Sequence, residues 1–275
     1  FTLIPLFLPK GLEITVTVVI LSNVISELVS ILVLFFFLPK NITYKKEDFH
    51  IRKSYIKDAL DISIPTTLSR LIGSIGYFLE PIILTTTLKY SGYTSSFIIN
   101  QYGILQGYVM PLVLLPSFFT LAISQALLPV IAKAISDKKL DYTKKKIKQA
   151  IFFSLLIGIP ATMLFIIMPK FFLQIMYHTN QGSVYLQVLA PICLFQYIQA
   201  PLAFSLDAMG RSKDNLKATI LGTIIRTITL FLFSLLKIGL WGYIISTSIH
   251  VIFVTSYNYY QVKKYLANFT TFSQK

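Results

Sequence analysis

The sequence predicts an all-α, polytopic membrane bundle, and three observations carry that prediction. Of 275 residues, 55% are hydrophobic and only 13% are charged, about half the charged share of an ordinary globular domain. The apolar residues fall in blocks long enough to cross a bilayer, which takes about 20 residues of helix. Most of these blocks lack the continuous polar face that a soluble core helix of that length turns to water.

Seven crossing blocks follow in order: 11–38, 59–88, 96–132, 149–168, 184–208, 215–236 and 239–262. Residues 1–8 read as the tail of an eighth. The first block contains a lone carboxylate at mid-depth, Glu27, and the second contains both Arg70 and Glu80. The third is too long for one straight span and carries Pro111, Pro116 and Pro129, so a kinked helix running past the membrane surface is expected. Within it, Gly103 and Gly107 form a GxxxG, a signature of close helix packing. The fourth follows the lysine-rich stretch 137–148, which reads as a solvated loop or as an amphipathic segment on the membrane surface. The fifth holds Gln196 and Gln199, read as interhelical hydrogen-bonding residues or cavity lining, packing being the preferred reading. The sixth contains Arg226 and the last contains His250. Tyr257, Tyr259 and Tyr260, near the end of that last block, read as an interfacial aromatic belt.

Basic residues set the orientation. Of the 25 lysines and arginines, nineteen lie in segments 40–57, 133–148 and 211–217 and in the tail after 262. The alternate connections hold only Lys10, Lys89, Lys170 and Lys237, and two arginines lie inside spans. The positive-inside rule makes the nineteen cytoplasmic, together with the C-terminus, in a multi-pass protein of the cytoplasmic membrane. The net charge of +14 is then a topology signal with a secondary attraction to anionic membrane lipids, and nucleic acid is not an expected partner.

Enzymatic and metal chemistry find little support. Cys193 is the single cysteine and lies in an apolar block, which excludes an intramolecular disulfide and a cysteine metal cluster. His50, His178 and His250 lack metal-ligand spacing. No paired-carboxylate, HExxH or nucleophile motif falls on a span. The expectation is a protein that is not an enzyme and carries no cofactor beyond a coupling H⁺ or Na⁺. The chain opens at Phe1 in an apolar run without an initiator methionine, and reads as part of a longer protein.

Three stretches carry a resemblance: SIPTTLSRLIGSIGYFLEPIIL (63–84), YGILQGYVMPLVLLPSFFTLAISQALLPVIAKA (102–134) and SLDAMGRSKDN (205–215). They resemble the sporulation-protein branch of the polysaccharide flippases, in the MOP exporter superfamily that also holds the MATE drug exporters. The resemblance covers nearly the whole chain. It implies a MATE/MOP-like flippase fold: residues 1–40 as the end of a first helical bundle, 41–58 as a cytoplasmic linker, 59–265 as a second six-helix bundle and 266–275 as a tail. It also implies alternating access between bundles, a missing N-terminal bundle as partner, and a lipid-linked sugar as substrate, moved as a polyprenyl diphosphate. A cation or drug exporter coupled to H⁺ or Na⁺ is the alternative on the same fold. A scaffold without transport leaves the intramembrane arginines without a role.

The charges inside the spans are the candidate site. Charge at the bilayer centre costs at least about 2.5 kcal/mol, so such groups face a cavity or a partner. Arg70 lies nine residues beyond Asp61, and Arg226 nine beyond Lys217, which suggests one depth, about 13 Å in. Arg70, Gly73, Ser74 and Tyr77 share a helical face, as do Thr219, Gly222, Thr223 and Arg226. Two guanidiniums on small polar faces suit a diphosphate, so Arg70, Arg226, Ser74, Tyr77 and Thr223 are the substrate-binding candidates. The bland alternative is structural, with either arginine paired to Glu27 or to backbone carbonyls. Glu80, beside the helix break at Pro81, is an ion-coupling candidate, and so are Glu27 and His250. Each also has a reading as a group hydrogen-bonded into the bundle.

Overall fold

The computed structural model describes Phe7, Pro9, residues 11–37 and residues 53–273. The expected span tail at 1–8 and most of the expected linker 41–58 therefore lie outside the described residues. The chain divides into two compact units, residues 1–53 and 54–275.

The first unit holds helix α1, Leu12–Phe37, about 39 Å long at 1.5 Å per residue. Its few hydroxyls bond back to the preceding turn: Thr17 Oγ1 donates to the Glu13 carbonyl at 2.8 Å and Ser30 Oγ to the Ser26 carbonyl at 2.9 Å. That habit removes a free donor from an apolar surface.

In the second unit the elements run α2 (Lys53–Tyr90), α3 (Ser95–Ile104), a π-helical turn (Leu105–Val109), α4 (Met110–Ser136), α5 (Leu140–Ile167), α6 (Pro169–Tyr177), α7 (Ser183–Ala208), α8 (Ser212–Leu235) and α9 (Trp241–Ser273). The expected kink in the third block takes the form of the π turn. Pro111 has no N–H to return to the turn before it, and the ladder widens just ahead of it. Thr94 opens α3 by accepting the Phe97 N–H at 3.3 Å. Gly210, at φ +68°, closes α7, with the Arg211 N–H donating to the Leu206 carbonyl at 2.8 Å.

Helix α7 is the hub of this unit, packing on α4, α5, α8 and α9. Tyr197 is fully buried and donates to the Val113 carbonyl of α4 at 2.7 Å. Its ring lies over Gly158 of α5, where an added Cβ would stand 2.5 Å from the ring. At the α8–α9 turn, a Cβ on Gly242 would stand 2.8 Å from the Phe233 carbonyl carbon. Around this hub lie two apolar clusters. One gathers Leu84, Leu105, Val109, Leu186 and Tyr243, and the other gathers Ile131, Ile147, Leu202, Leu206 and Val262. Large side chains such as Phe118, Phe152 and Ile167 point outward, 60–73% exposed, as a lipid-facing surface requires.

Among the described residues, six helices are long and apolar enough to cross a membrane: Glu13–Phe37, Ala59–Tyr90, Ser95–Ser136, Leu140–Ile167, Ser183–Ala208 and Ser212–Leu235. The seventh expected span, 239–262, falls on α9. That helix is long enough at 33 residues, but it is not among the six. The reason is its inward face: Ser246, Thr247, Thr255 and Asn258 are buried there.

Three expectations are corrected. Segment 137–148 is not a solvated loop from end to end. From Leu140 it is the first turns of α5, with Thr143 and Ile147 buried. Among the described residues Gly103 and Gly107 make no close helix contact, since a Cβ on either would meet nothing within 4 Å. They flank and enter the π turn instead. A short helix, α6, also appears in the connection 169–177, where none was expected.

Candidate functional site

Helices α2 and α8 approach where Gly76 faces Thr223. A Cβ on Gly76 would stand 2.8 Å from Thr223 Cγ2, so glycine sets the spacing. One turn further along α2, Glu80 Oε2 and Arg226 Nη2 of α8 form an ion pair. Both residues are buried, at 3% and 8% exposure.

A ring of polar groups surrounds the pair. Glu80 Oε1 accepts from Tyr102 Oη at 3.3 Å and from Gln106 Nε2 at 3.1 Å. Gln106 Nε2 also donates to Tyr243 Oη at 2.9 Å. Arg226 Nη2 donates to that same oxygen at 3.3 Å. The guanidinium sits 4.9 Å from the Tyr77 ring centroid and 5.8 Å from that of Tyr243, cation–π contacts that strengthen where water is excluded. A carboxylate and a guanidinium thus share one buried network drawn from α2, α3, the π turn, α8 and α9. Such a pair holds only when its remaining lone pairs and protons find partners; Glu80 Oε1 accepts two hydrogen bonds and Arg226 Nη2 donates one beyond the ion pair. Arg226 Nε has no hydrogen-bond partner among the described residues.

The pair lies on the wall of a cavity of about 160 Å³, lined also by Gly73, Gln199, Thr219, Thr227 and His250. Gln199 therefore faces this space instead of serving purely as packing, and its Oε1 has no partner among the described residues. His250 lies against Gly222, and its Nδ1 likewise finds no partner among the described residues.

The sequence-derived candidates separate into groups. Arg226, Tyr77, Thr223, Glu80 and His250 line the one cavity. Arg70 and Ser74 are exposed on α2 outside it, and among the described residues Arg70 makes no ion pair. Glu27 is exposed on α1, in the other unit. The expected common depth of the two arginines is not met. Arg226 reaches Glu80, which is ten residues past Arg70, about 15 Å along a helix. Counting inward from a boundary residue assumes straight helices of equal tilt, and α2 starts at Lys53 and contains Pro65 and Pro81. Sequence reasoning missed Tyr102, Gln106 and Tyr243. Tyr102 and Gln106 stand at i, i+4, each immediately before a glycine of the GxxxG, and that polar pair in an apolar helix was the available signal.

The fold is that of a multi-pass membrane protein of the MATE kind. Solved structures align with most of the chain. "Crystal structure of MATE in the bent conformation" aligns at TM-score 0.75 and 16% identity, covering 90% of this chain and 54% of that one. "Outward-facing conformation of a multidrug resistance MATE family transporter of the MOP superfamily" aligns at TM-score 0.73 and 16% identity, covering 96% and 58%. Residues 81–232 match the family model MatE, and residues 1–135 match the model described as Polysaccharide biosynthesis protein. The chain belongs to the MatE family. Among characterised relatives it is similar to Stage V sporulation protein B of Bacillus subtilis (strain 168), at 30% identity over 267 residues, 95% of this chain and 52% of that protein. It is also similar to Sporulation protein YkvU of the same organism, at 26% identity over 259 residues, 93% of this chain and 58% of that one. The chain spans about half the length of these relatives.

Proposed function

We propose that the chain is part of an alternating-access membrane transporter in which Glu80 couples movement of cargo to a proton or sodium ion. The observation that carries this reading is the buried Glu80–Arg226 pair on the cavity wall. Removing one member of a buried pair leaves the other charge uncompensated. A cation arriving at Glu80 therefore releases Arg226 and remakes the network through Tyr102, Gln106 and Tyr243. That is the differential interaction that two conformations need if an ion is to shift their balance.

For the cargo, a cation or drug exporter is the reading with the broader support. The MatE match covers more of the chain than the polysaccharide match, and Glu80 neutralises Arg226, so among the described residues the cavity lining holds no unpaired guanidinium for an anion. A flippase for a lipid-linked oligosaccharide is the second reading. It is favoured by exposed Arg70 beside Ser74 and by the polysaccharide-biosynthesis match over residues 1–135. In either case the lysine-rich helix ends face the cytoplasm, and a further bundle of the same protein supplies the other cavity wall.

The test is reconstitution of the full-length protein in liposomes with two cargoes, a cationic dye and a fluorescent polyprenyl-diphosphate sugar. Gradient-driven dye export without sugar movement supports the exporter reading. Sugar movement without dye export replaces it with the flippase, and neither movement sinks the transport reading.

A further inference from the structure

A second concavity lies at the lysine-rich end of the bundle, a groove of about 380 Å³ that shares no lining residue with the Glu80 cavity. Two helices form its sides. On α5, Lys144 and Lys148 stand at i, i+4 with Ile147 and Ile151 beside them on the lining face. On α9, Tyr259, Val262, Lys263 and Leu266 follow i, i+3, i+4, i+7 and line the opposite side. Fully buried Leu202 of α7 contributes to its lining. Both sides therefore repeat one design, an apolar wall with ammonium groups among its lining residues.

The three lysines have no carboxylate partner among the described residues, where the lysines in ion pairs are Lys139 and Lys213. Unpaired cations around an apolar slot, where spanning helices leave the membrane, match a molecule with an anionic head and a hydrocarbon chain. A soluble anion would use none of the groove's apolar lining, the half-buried Ile151 and Leu266 beside the buried Ile147 and Val262, and a neutral lipid would leave the lysines without a counter-charge. Tyr259, 54% exposed, offers a ring for the interface and a hydroxyl for the headgroup. We infer that this groove is a binding site for one anionic phospholipid, its phosphate held by Lys144, Lys148 and Lys263 and an acyl chain laid along Ile147, Ile151, Val262 and Leu266. Basic pockets between spanning helices recognise phospholipid headgroups by this same combination. The site ties α5, α7 and α9 together at one membrane face, independently of which cargo the protein carries.

The experiment is native mass spectrometry of the full-length protein in detergent, titrated with phosphatidylglycerol and, separately, with phosphatidylcholine of the same chains. The parent is compared with K144Q/K148Q/K263Q and with K138Q/K145Q/K264Q, which removes equal charge outside the groove. The expected result is a first phosphatidylglycerol that binds in preference to phosphatidylcholine and weakens about tenfold or more in the groove variant only. I151W, which fills the slot without altering charge, weakens the same lipid. Equal weakening in both triple variants, no preference for phosphatidylglycerol, or no effect of I151W overturns the assignment.

Discussion

Glu80 and Arg226 are 146 positions apart in sequence and form an ion pair in the interior of one helical unit. Neither is held by its own helix. Glu80 depends on Tyr102 and Gln106 for its second oxygen, and Arg226 on Tyr243 and the Tyr77 ring. The carboxylate and the guanidinium that the sequence left as separate intramembrane charges thus explain one another.

The pair has a thermodynamic signature. Glu80→Met and Arg226→Met each strand a buried charge, and each is expected to destabilise by about 3 kcal/mol. The double variant is expected to lose less than either single, because both charges leave together. A double-mutant cycle from thermal unfolding in detergent checks this. Additive losses would mean that the two residues do not interact.

Tyr243 joins the acid and base sides of the network by accepting from both Gln106 and Arg226. Tyr243→Phe removes that acceptor while leaving the ring in place. The expected cost is about 1–3 kcal/mol, the range for stranding buried donors, measured in the same unfolding assay.

The glycines separate into contact and non-contact positions. Gly242→Ala drives a methyl against the Phe233 backbone and is expected to cost about 1–3 kcal/mol. Gly103→Ala meets nothing within 4 Å and is expected to be neutral, or to stabilise by up to about 1 kcal/mol through helix propensity. A large loss at Gly103 would restore the packing reading of the GxxxG.

Arg70 discriminates between the cargo readings. Exposed and outside the ion pair, it is expected to tolerate Arg70→Ala within about 0.5 kcal/mol of parent stability. Under the flippase reading the variant loses sugar movement in liposomes, and under the exporter reading dye export persists.

The architecture was legible because bilayer crossing imposes length and composition directly. Helices α1, α7 and α8 lie within a few residues of their expected blocks, since each has a long apolar run with a clear charged or glycine boundary. Helix α9 was legible as a helix and less so as a span, because the polar residues it buries dilute its hydropathy. The site was only half legible. That Arg226 and Glu80 needed compensation followed from the cost of buried charge, but which group supplied it depended on relative helix tilt. Pro65 and Pro81 inside α2 and the π turn before α4 depart from regular helix geometry, and no residue count contains that. The lysine-rich start of α5 misled for a related reason. A run of charges reads as a loop until its Thr143 and Ile147 are seen to turn inward.

The most direct test of the coupling role is transport by the reconstituted full-length protein carrying Glu80→Gln, under imposed proton and sodium gradients and without either. Glutamine keeps the shape and one hydrogen-bonding oxygen but cannot take up a cation in exchange for Arg226. The expected result is that the parent's dependence on one of the two gradients disappears in the variant, with the folded protein still present. Transport in Glu80→Gln that follows the same gradient as the parent would contradict the coupling role of the pair.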